Sequence, residues 1–331
     1  MSNERALRPW WPWSLAPSRM ISSVEERSLA ERLRPRLAVE ERFDRTGQRF
    51  RKSFLFRHER ILVRPWLKLG LQMAGLYSRG RRNAISPVVR KLTLRFADLP
   101  SAFDGFHILH LADLHIDGLD GLTEALIPLL EELRPDVCVM TGDYRFEDDG
   151  PCDGVHPRMR SIISSISAKH GIFGILGNHD ASEIAFALED MGVRMLINEG
   201  FEITRGDVSV WLAGIDDPFG YECDDLPGAL SSVPQDSFKI LLAHTPELYA
   251  EASAYGVHLY LSGHTHAGQI RFPVIGSIRN HADCPRAYAY GHWKHGQMQG
   301  YTSAGIGCST VPVRFNCPPE IVVIELRAAI P

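Results

Sequence analysis

The sequence predicts an α/β sandwich, and three observations predict it. Short apolar runs recur from about residue 88 to residue 326, each of strand length and bounded by turn residues. Segments of helical period alternate with these runs in the first half and give way to strands in the second, the pattern of a layered fold with helices outside. The longest runs end on Gly, Asp, Asn or His, so polar chemistry is placed where strands stop.

The elements follow in order. Residues 1–20 are rich in Trp and Pro, with Trp10, Trp11 and Trp13 close together, and little fixed structure is expected there. Residues 22–43 are expected to be helical in part, with Pro35 interrupting. Residues 54–77, FLFRHERILVRPWLKLGLQMAGLY, mix long apolar side chains with Arg57, Arg60, Arg64 and Lys68. Such a segment can lie in a membrane interface or pack on the body with its charges in water. The nearby tryptophans favour the membrane. Strands are expected at 88–96 and at FHILHLA (106–112). A helix is expected at TEALIPLLEEL (123–133) and a strand at DVCVMTG (136–142). Helix MRSIISSISAK (159–169) precedes strand GIFGILG (171–177). Strands SVWLAGI (209–215), FKILLAH (238–244), VHLYLSG (257–263) and EIVVIEL (320–326) complete the pattern. The expected division is a basic extension over 1–85 and a catalytic body over 86–331.

Composition bounds the function. The chain has 331 residues, 44% hydrophobic and 23% charged, values of a soluble globular protein. Its net charge of −4 hides an asymmetry: residues 1–100 carry 22 Lys and Arg against 9 Asp and Glu, and the rest carry 14 against 31. A basic leading segment on an acidic body suggests an anionic surface as partner. The same charge would attract nucleic acid, but no recognition motif lies within it, so no specific nucleic acid is expected. The six cysteines form no C-x-x-C and are expected as free thiols of a reducing compartment. No transmembrane run or signal peptide is found, and Arg81-Arg82 lies too deep for a twin-arginine signal. The expected location is cytoplasmic, peripheral at the inner face of the membrane. The sequence is silent on oligomeric state.

Each major strand runs into donors that suit a metal. FHILHLA leads to Asp113 and His115, DVCVMTG to Asp143, and GIFGILG to Asn178, His179 and Asp180. FKILLA leads to His244, and VHLYLSG to His264 and His266. Five strands with five polar clusters in phase point to one site at their C-terminal ends, where α/β sheets build sites. Two divalent ions close together can clamp both oxygens of an in-line displacement. They need a bridging carboxylate, and imidazole and oxygen donors. No cysteine falls in the clusters, so a thiolate site is excluded.

D-x-H, G-D, G-N-H-D, H and G-H-T-H, in that order over 106–266, resemble the calcineurin-like metallophosphoesterase superfamily. The resemblance implies a four-layer α/β/β/α sandwich with a dinuclear centre. It implies Asp113, His115 and His266 on a first metal, Asn178, His244 and His264 on a second, and Asp143 as the bridge. It further implies a metal-bridging hydroxide as nucleophile, with His179 facing the phosphoryl oxygen or leaving group and Asp180 orienting it. The two ions would be Mn, Fe, Zn or Mg. Residues 93–115, the continuation of GHTHAGQI, and the tail GIGCSTVPVRFNCPPEIVVIEL (305–326) resemble one bacterial branch, often membrane-anchored, with members linked to UDP-2,3-diacylglucosamine pyrophosphatase activity in lipid A biosynthesis. A manganese-dependent phosphodiesterase or pyrophosphatase, with a lipid-linked phosphoester as substrate, is the function this implies. Two departures stand: no clear transmembrane anchor, and Ser303-Ala304 where an arginine is expected. Arg314 is a candidate substrate contact or a structural ion pair.

Other functional classes are a phosphoprotein or nucleotide phosphatase and a non-catalytic scaffold. The full ligand set argues against the scaffold. His107 and His110 are expected to be packed or hydrogen-bonded rather than ligands, and Glu147 to Asp149 to be a solvated loop. Asp216-Asp217, His281, His292 and His295 are weak candidates for the cleft.

Overall fold

Runs in which every residue is apolar can be buried on both faces only inside a layered sandwich, and the computed structural model shows that arrangement. It describes residues 27–46, 63–277 and 282–329. The reading of Trp10, Trp11, Trp13, residues 54–62 and His281 falls outside these. The chain opens with α1 (Leu29–Arg32) and α2 (Arg34–Thr46), then α3 (Arg64–Met73) and α4 (Tyr77–Ala84). The body begins with β1 (Val88–Phe96), β2 (Phe106–Leu111), α5 (Leu122–Glu132), β3 (Val137–Met140) and α6 (Val155–Ser164). It continues through β4 (Ile172–Gly174), α7 (Ser182–Asp190), β5 (Val193–Met195), β6 (Glu199–Arg205) and β7 (Val208–Gly214). Next come α8 (Leu226–Leu230), β8 (Phe238–Leu242), α9 (Tyr249–Ala254) and β9 (Leu259–Ser262). A small hairpin follows, β10 (Arg271–Phe272) and β11 (Gly276–Ser277), then β12 (Gly291–His295), β13 (Met298–Thr302) and β14 (Glu320–Ala328).

Two six-stranded sheets result, in the orders β1-β14-β2-β3-β4-β5 and β12-β13-β9-β8-β7-β6. Strands β2 to β5 run parallel, as do β7, β8 and β9. Their C-terminal ends are therefore brought to one edge of each sheet. Period two divides the core. Phe106 and Ile108 of β2 face the second sheet, where they meet Leu212, Ile240 and Leu261. Leu109 and Leu111 face the outer helices, among Leu126, Ile162 and Ile184. On the far side Leu241 and Tyr260 pack with Leu226 and Ala229 of α8 and Ala252 of α9. The layers are helix, sheet, sheet, helix, as expected.

Pro35 interrupts the leading helical stretch as expected: α1 ends at Arg32 and α2 begins at Arg34, with Pro35 in its first turn, where its missing N–H costs nothing. Some details differ from the sequence reading. The strand expected at 171–177 is regular only at Ile172–Gly174; Ile175 N–H makes one more bond, to the Met140 carbonyl, before the chain enters the loop that carries Asn178. No helix among the described residues is long and apolar enough to cross a membrane.

Candidate metal centre

The site lies across the C-terminal ends of both sheets. Strands β2, β3 and β4 lead to Asp113, His115, Asp143, Asn178 and His179, and strands β8 and β9 to His244, His264 and His266. The loops are stitched to one another by backbone bonds. Asp113 N–H donates to Gly142 O at 3.1 Å, His115 N–H to Asp143 O at 2.9 Å, and Gly263 N–H to His244 O at 2.9 Å. The Asp113 carboxylate accepts the His264 N–H at 2.8 and 3.0 Å, joining the two sheets. Asp113, His115, Asp143, His264 and His266 all have positive φ, between 37° and 68°. That region is strained for residues with a Cβ, at about 1–3 kcal/mol each, and such strain gathers at functional sites. Two glycines admit the close approach. A Cβ at Gly177 would collide with Asp143 Oδ1, and one at Gly263 with Asp113 Oδ2.

The structure brings all seven expected ligands together, buried. Among the described residues Asp113, His115 and His266 converge in one group and Asp143, His244 and His264 in another, and a third, His115 and Asp143 with His179, overlaps both. Asp143 Oδ2 lies between, 3.6 Å from His115 Nε2 and 3.3 Å from His244 Nε2. His115 Nε2 stands 3.1 Å from His266 Nε2. His244 Nε2 stands 2.9 Å from Asn178 Oδ1 and 3.2 Å from His264 Nδ1. Donors about 2.1 Å from one ion lie about 3 Å apart along an octahedral edge, so these spacings fit ligand pairs.

The donor chemistry fits a cation as well. His244 Nδ1 faces the Thr141 carbonyl at 2.8 Å and His115 Nδ1 faces the Arg145 carbonyl at 2.6 Å. A proton on each Nδ1 leaves each Nε2 lone pair aimed into the cluster, the tautomer metal ligands require. At His244 that lone pair would face two acceptor oxygens, an arrangement that needs a positive charge between them. Burial would lower the His244 pKa, but Asp143, helped by Asp113 and Asp217, raises it to about 10. Burial, with Asp143 adding to it, raises Asp113 to about 7. Burial pushes His115 down to about 3 and, aided by His115, holds His266 well below the usual imidazole range. His115 and His266 are thus neutral imidazoles, while His244 holds beside the carboxylates the positive charge that a divalent ion would replace.

Two expected roles are corrected. Asp180 does not orient His179. Its carboxylate turns beneath the site and accepts the N–H groups of Asp143, Tyr144 and Gly177, each at 2.8 Å. It thereby clamps the Asp143 loop to the Asn178 loop. The group that orients His179 is the Phe146 carbonyl, 2.7 Å from Nδ1, which leaves Nε2 4.0 Å from Asp143 Oδ2. The His179 side chain is 18% exposed, where His115, Asp143 and His244 are closed to solvent. Arg314 is no substrate contact either. It is fully buried, and its guanidinium donates to the carbonyls of Gly307, Ala304 and Gly305 behind His266. Its Nη2 also lies 3.3 Å from His266 Nδ1, so it backs that ligand from inside the fold. Where an arginine was expected, Ala304 N–H and Ser303 Oγ instead bond the buried Glu320.

Sequence reading missed Arg36. Fully buried, it donates to Asp216 Oδ1 at 2.6 Å, to the Asp180 carbonyl at 2.6 Å and to the Gly177 carbonyl at 3.3 Å. Its guanidinium stacks on Tyr221 at 3.5 Å. Asp217 is also buried and nucleates the next loop by accepting the N–H groups of Gly220 and Tyr221. Phe219 of that loop lies 4.4 Å from the His264 ring, centroid to centroid. The acids after β7 were a visible signal, whereas Arg36 had none. His110 is packed as expected, bonded to Thr141 Oγ1 at 2.9 Å. His292 pairs with Gln299 and His295 with Tyr288, outside the cluster.

The model of the calcineurin-like phosphoesterase family matches residues 106–268, the span that holds every residue of the two groups. The metallophosphoesterase YkuE of Bacillus subtilis is 30% identical over 244 residues, covering 71% of this chain and 84% of that protein. The chain belongs to the calcineurin-like phosphoesterase family. Phosphodiesterase YaeI of Escherichia coli is 29% identical, covering 67% of this chain and 82% of its own. A metallophosphoesterase of Aquifex aeolicus is 28% identical, covering 72% and 91%. This phosphoesterase is thus a metal-dependent phosphoester hydrolase.

Proposed function

We propose that this phosphoesterase is a dinuclear phosphodiesterase or pyrophosphatase acting on a lipid-linked phosphoester, with UDP-2,3-diacylglucosamine as one such substrate. The observation that carries the dinuclear part is the position of Asp143 Oδ2 between two convergent donor groups. In this reading Asp113, His115 and His266 would hold one ion, Asn178, His244 and His264 would hold the other, and Asp143 would serve both. Manganese suits the mixed imidazole and oxygen set. When bound, the two ions would supply charge neutralisation at the phosphoryl group and lower the pKa of a water.

The protein's own groups do the rest. Asp113 pins the His264 loop, and Asp180 holds the Asp143 loop against the Asn178 loop, so the donors are fixed before substrate arrives. His179, held at Nδ1 by the Phe146 carbonyl and open to solvent on one side, presents Nε2 to the leaving oxygen as proton donor or charge stabiliser. The diester reading draws on YaeI, a phosphodiesterase by name, and the lipid reading on the basic, apolar segment over 54–77.

The test is hydrolysis of bis-p-nitrophenyl phosphate with added Mn²⁺, beside Asp143→Asn and with bound metal measured by mass spectrometry. Activity in the wild type that disappears in the variant is the expected result. Bound metal without activity in either would point to a selective enzyme and move the screen to lipid-linked pyrophosphates. Absence of both metal and activity would overturn the reading.

A further inference from the structure

Helix α3 has the wrong surface for a helix that merely rests on its own protein. Arg64, Leu67 and Leu71, at helical spacing, are half-buried. Trp66, Leu69 and Met73 have the same spacing on another face and point outward, Trp66 at 69% and Met73 at 81% exposure. No residue of α3 is buried. A helix with apolar stripes on two faces has one stripe too many for a single neighbour. Leu76 extends the outward stripe past the helix end and is also exposed. An exposed tryptophan beside long apolar side chains is the composition of an interfacial segment.

The hairpin β10–β11 presents a second apolar patch. Phe272 and Ile275 are exposed, and Val274 at its tip is fully so. Both patches are anchored on one stretch of chain. Gly80 of α4 lies against Val313 and Phe315, Arg314 N–H donates to Gly80 O at 3.0 Å, and Arg271 N–H donates to Phe315 O at 2.9 Å. The other end of α3 reaches the metal centre. Arg64 pairs with Glu147 at 2.7 Å and stacks over Phe146, whose carbonyl holds His179. The apolar surface therefore starts at the mouth of the site.

Charge selects the occupant. Residues 64–84 contain five Lys and Arg and no Asp or Glu, and Arg79, Arg81 and Arg82 are exposed. Basic side chains beside an apolar stripe suit a bilayer interface carrying anionic lipid, where charge and burial act together. We propose that the Trp66–Leu69–Met73 face of α3, with the Phe272–Val274–Ile275 hairpin, docks on an anionic lipid bilayer while Arg79, Arg81 and Arg82 meet its headgroups. This deepens the lipid-linked reading of the substrate, on which its functional half rests: the site's mouth would open at the membrane, and an acylated phosphoester need not leave it. The docking itself needs no catalysis.

The experiment is flotation of the full-length protein with vesicles of phosphatidylcholine containing phosphatidylglycerol, and with phosphatidylcholine alone. The wild type should float with the anionic vesicles, less so at high salt, and weakly with the neutral ones. Trp66→Ser/Leu69→Ser/Met73→Ser should lower the floated fraction at least about tenfold, with circular dichroism and Tm unchanged. Arg81→Glu/Arg82→Glu keeps the apolar face and should lose the preference for anionic lipid, which tests docking even if the triple variant misfolds. A wild type that ignores anionic vesicles, or a folded triple variant that floats as well, would overturn the proposal. So would a wild-type dimer in sedimentation that the triple variant dissolves, since a second copy would then own the face. Hydrolysis of a soluble diester, measured alongside, separates this failure from failure of the hydrolase reading.

Discussion

His179 and Asp180 are adjacent, yet the structure gives them separable duties, and variants should separate them. His179→Asn removes the imidazole at the mouth while leaving both donor groups intact. The rate on a model diester should fall about 10²–10⁴-fold, with metal content unchanged. Asp180→Asn weakens the acceptor of three buried N–H groups, so the Asp143 loop loosens and metal content should fall together with rate. Equal metal loss in both variants would contradict this division. The pH dependence of metal binding follows from Asp113 and His244. Burial raises Asp113 to about 7, so below that pH the metal-free protein holds a proton an ion must displace. His244 is raised to about 10 by its carboxylate neighbours against the opposing effect of burial, so its proton is displaced as well. Apparent affinity should climb from pH 6 to pH 8, with protons released on binding. Titration calorimetry in two buffers of different ionisation enthalpy reads this directly, and a flat profile with no proton release would contradict it. Residue types and spacing made the two donor groups legible. Their positive φ values were not, since nothing in the letters Asp113 or His264 marks a left-handed backbone. Arg314 misled for a similar reason. An arginine after a glycine turn reads the same whether it faces a cleft or three carbonyls.

At the scale of elements, the extension is partly a component of the body. Arg36 on α2 reaches Asp216 after β7 and the carbonyls of Gly177 and Asp180 after β4. Arg32, one turn earlier, bonds Glu199 and the Met195 carbonyl, and Glu40 accepts the Ser182 N–H at the start of α7. Removing one partner of a buried pair leaves an uncompensated charge, typically at about 3–5 kcal/mol. Arg36→Met should therefore lower unfolding stability by about that amount in urea titration, while Arg36→Met/Asp216→Leu should recover part of it. A single variant within about 0.5 kcal/mol of wild type would mean that water replaces the guanidinium. No periodicity could reveal this clasp, because its partners are 144 and 180 residues apart. Strands such as FKILL and LYLS were legible because every residue is buried. GHWKH of β12 and EGFEITR of β6 were not, being half-exposed edge strands with polar side chains on one side.

For the whole molecule, the two sheets share one core and are hydrogen-bonded away from the site as well, through Gln299 to the Arg95 carbonyl and Tyr301 to Glu320. At the site Asp113 reaches from β2 to the N–H of His264 after β9, and the donor groups span both sheets, since one mixes Asp113 and His115 with His266 and another joins Asp143 to His244 and His264. Metal binding should therefore stabilise the sandwich globally and not only its loops. The strained backbone and the Asp113 and Asp143 carboxylates, buried close together, are costs carried by the metal-free state. An ion that binds only the folded form at about 100 times its Kd adds about 2.7 kcal/mol. For a body of this size, each kcal/mol moves Tm by about 2–4 °C. Calorimetry with Mn²⁺ should then show a rise of about 5–10 °C, reversed by chelator and absent in Asp143→Asn. A cooperative transition that shifts as one unit would place both sheets under the control of the centre. Two transitions, with only one moving, would show that the ions hold one sheet while the other folds without them, and a Tm indifferent to metal would remove the centre from the stability of the fold.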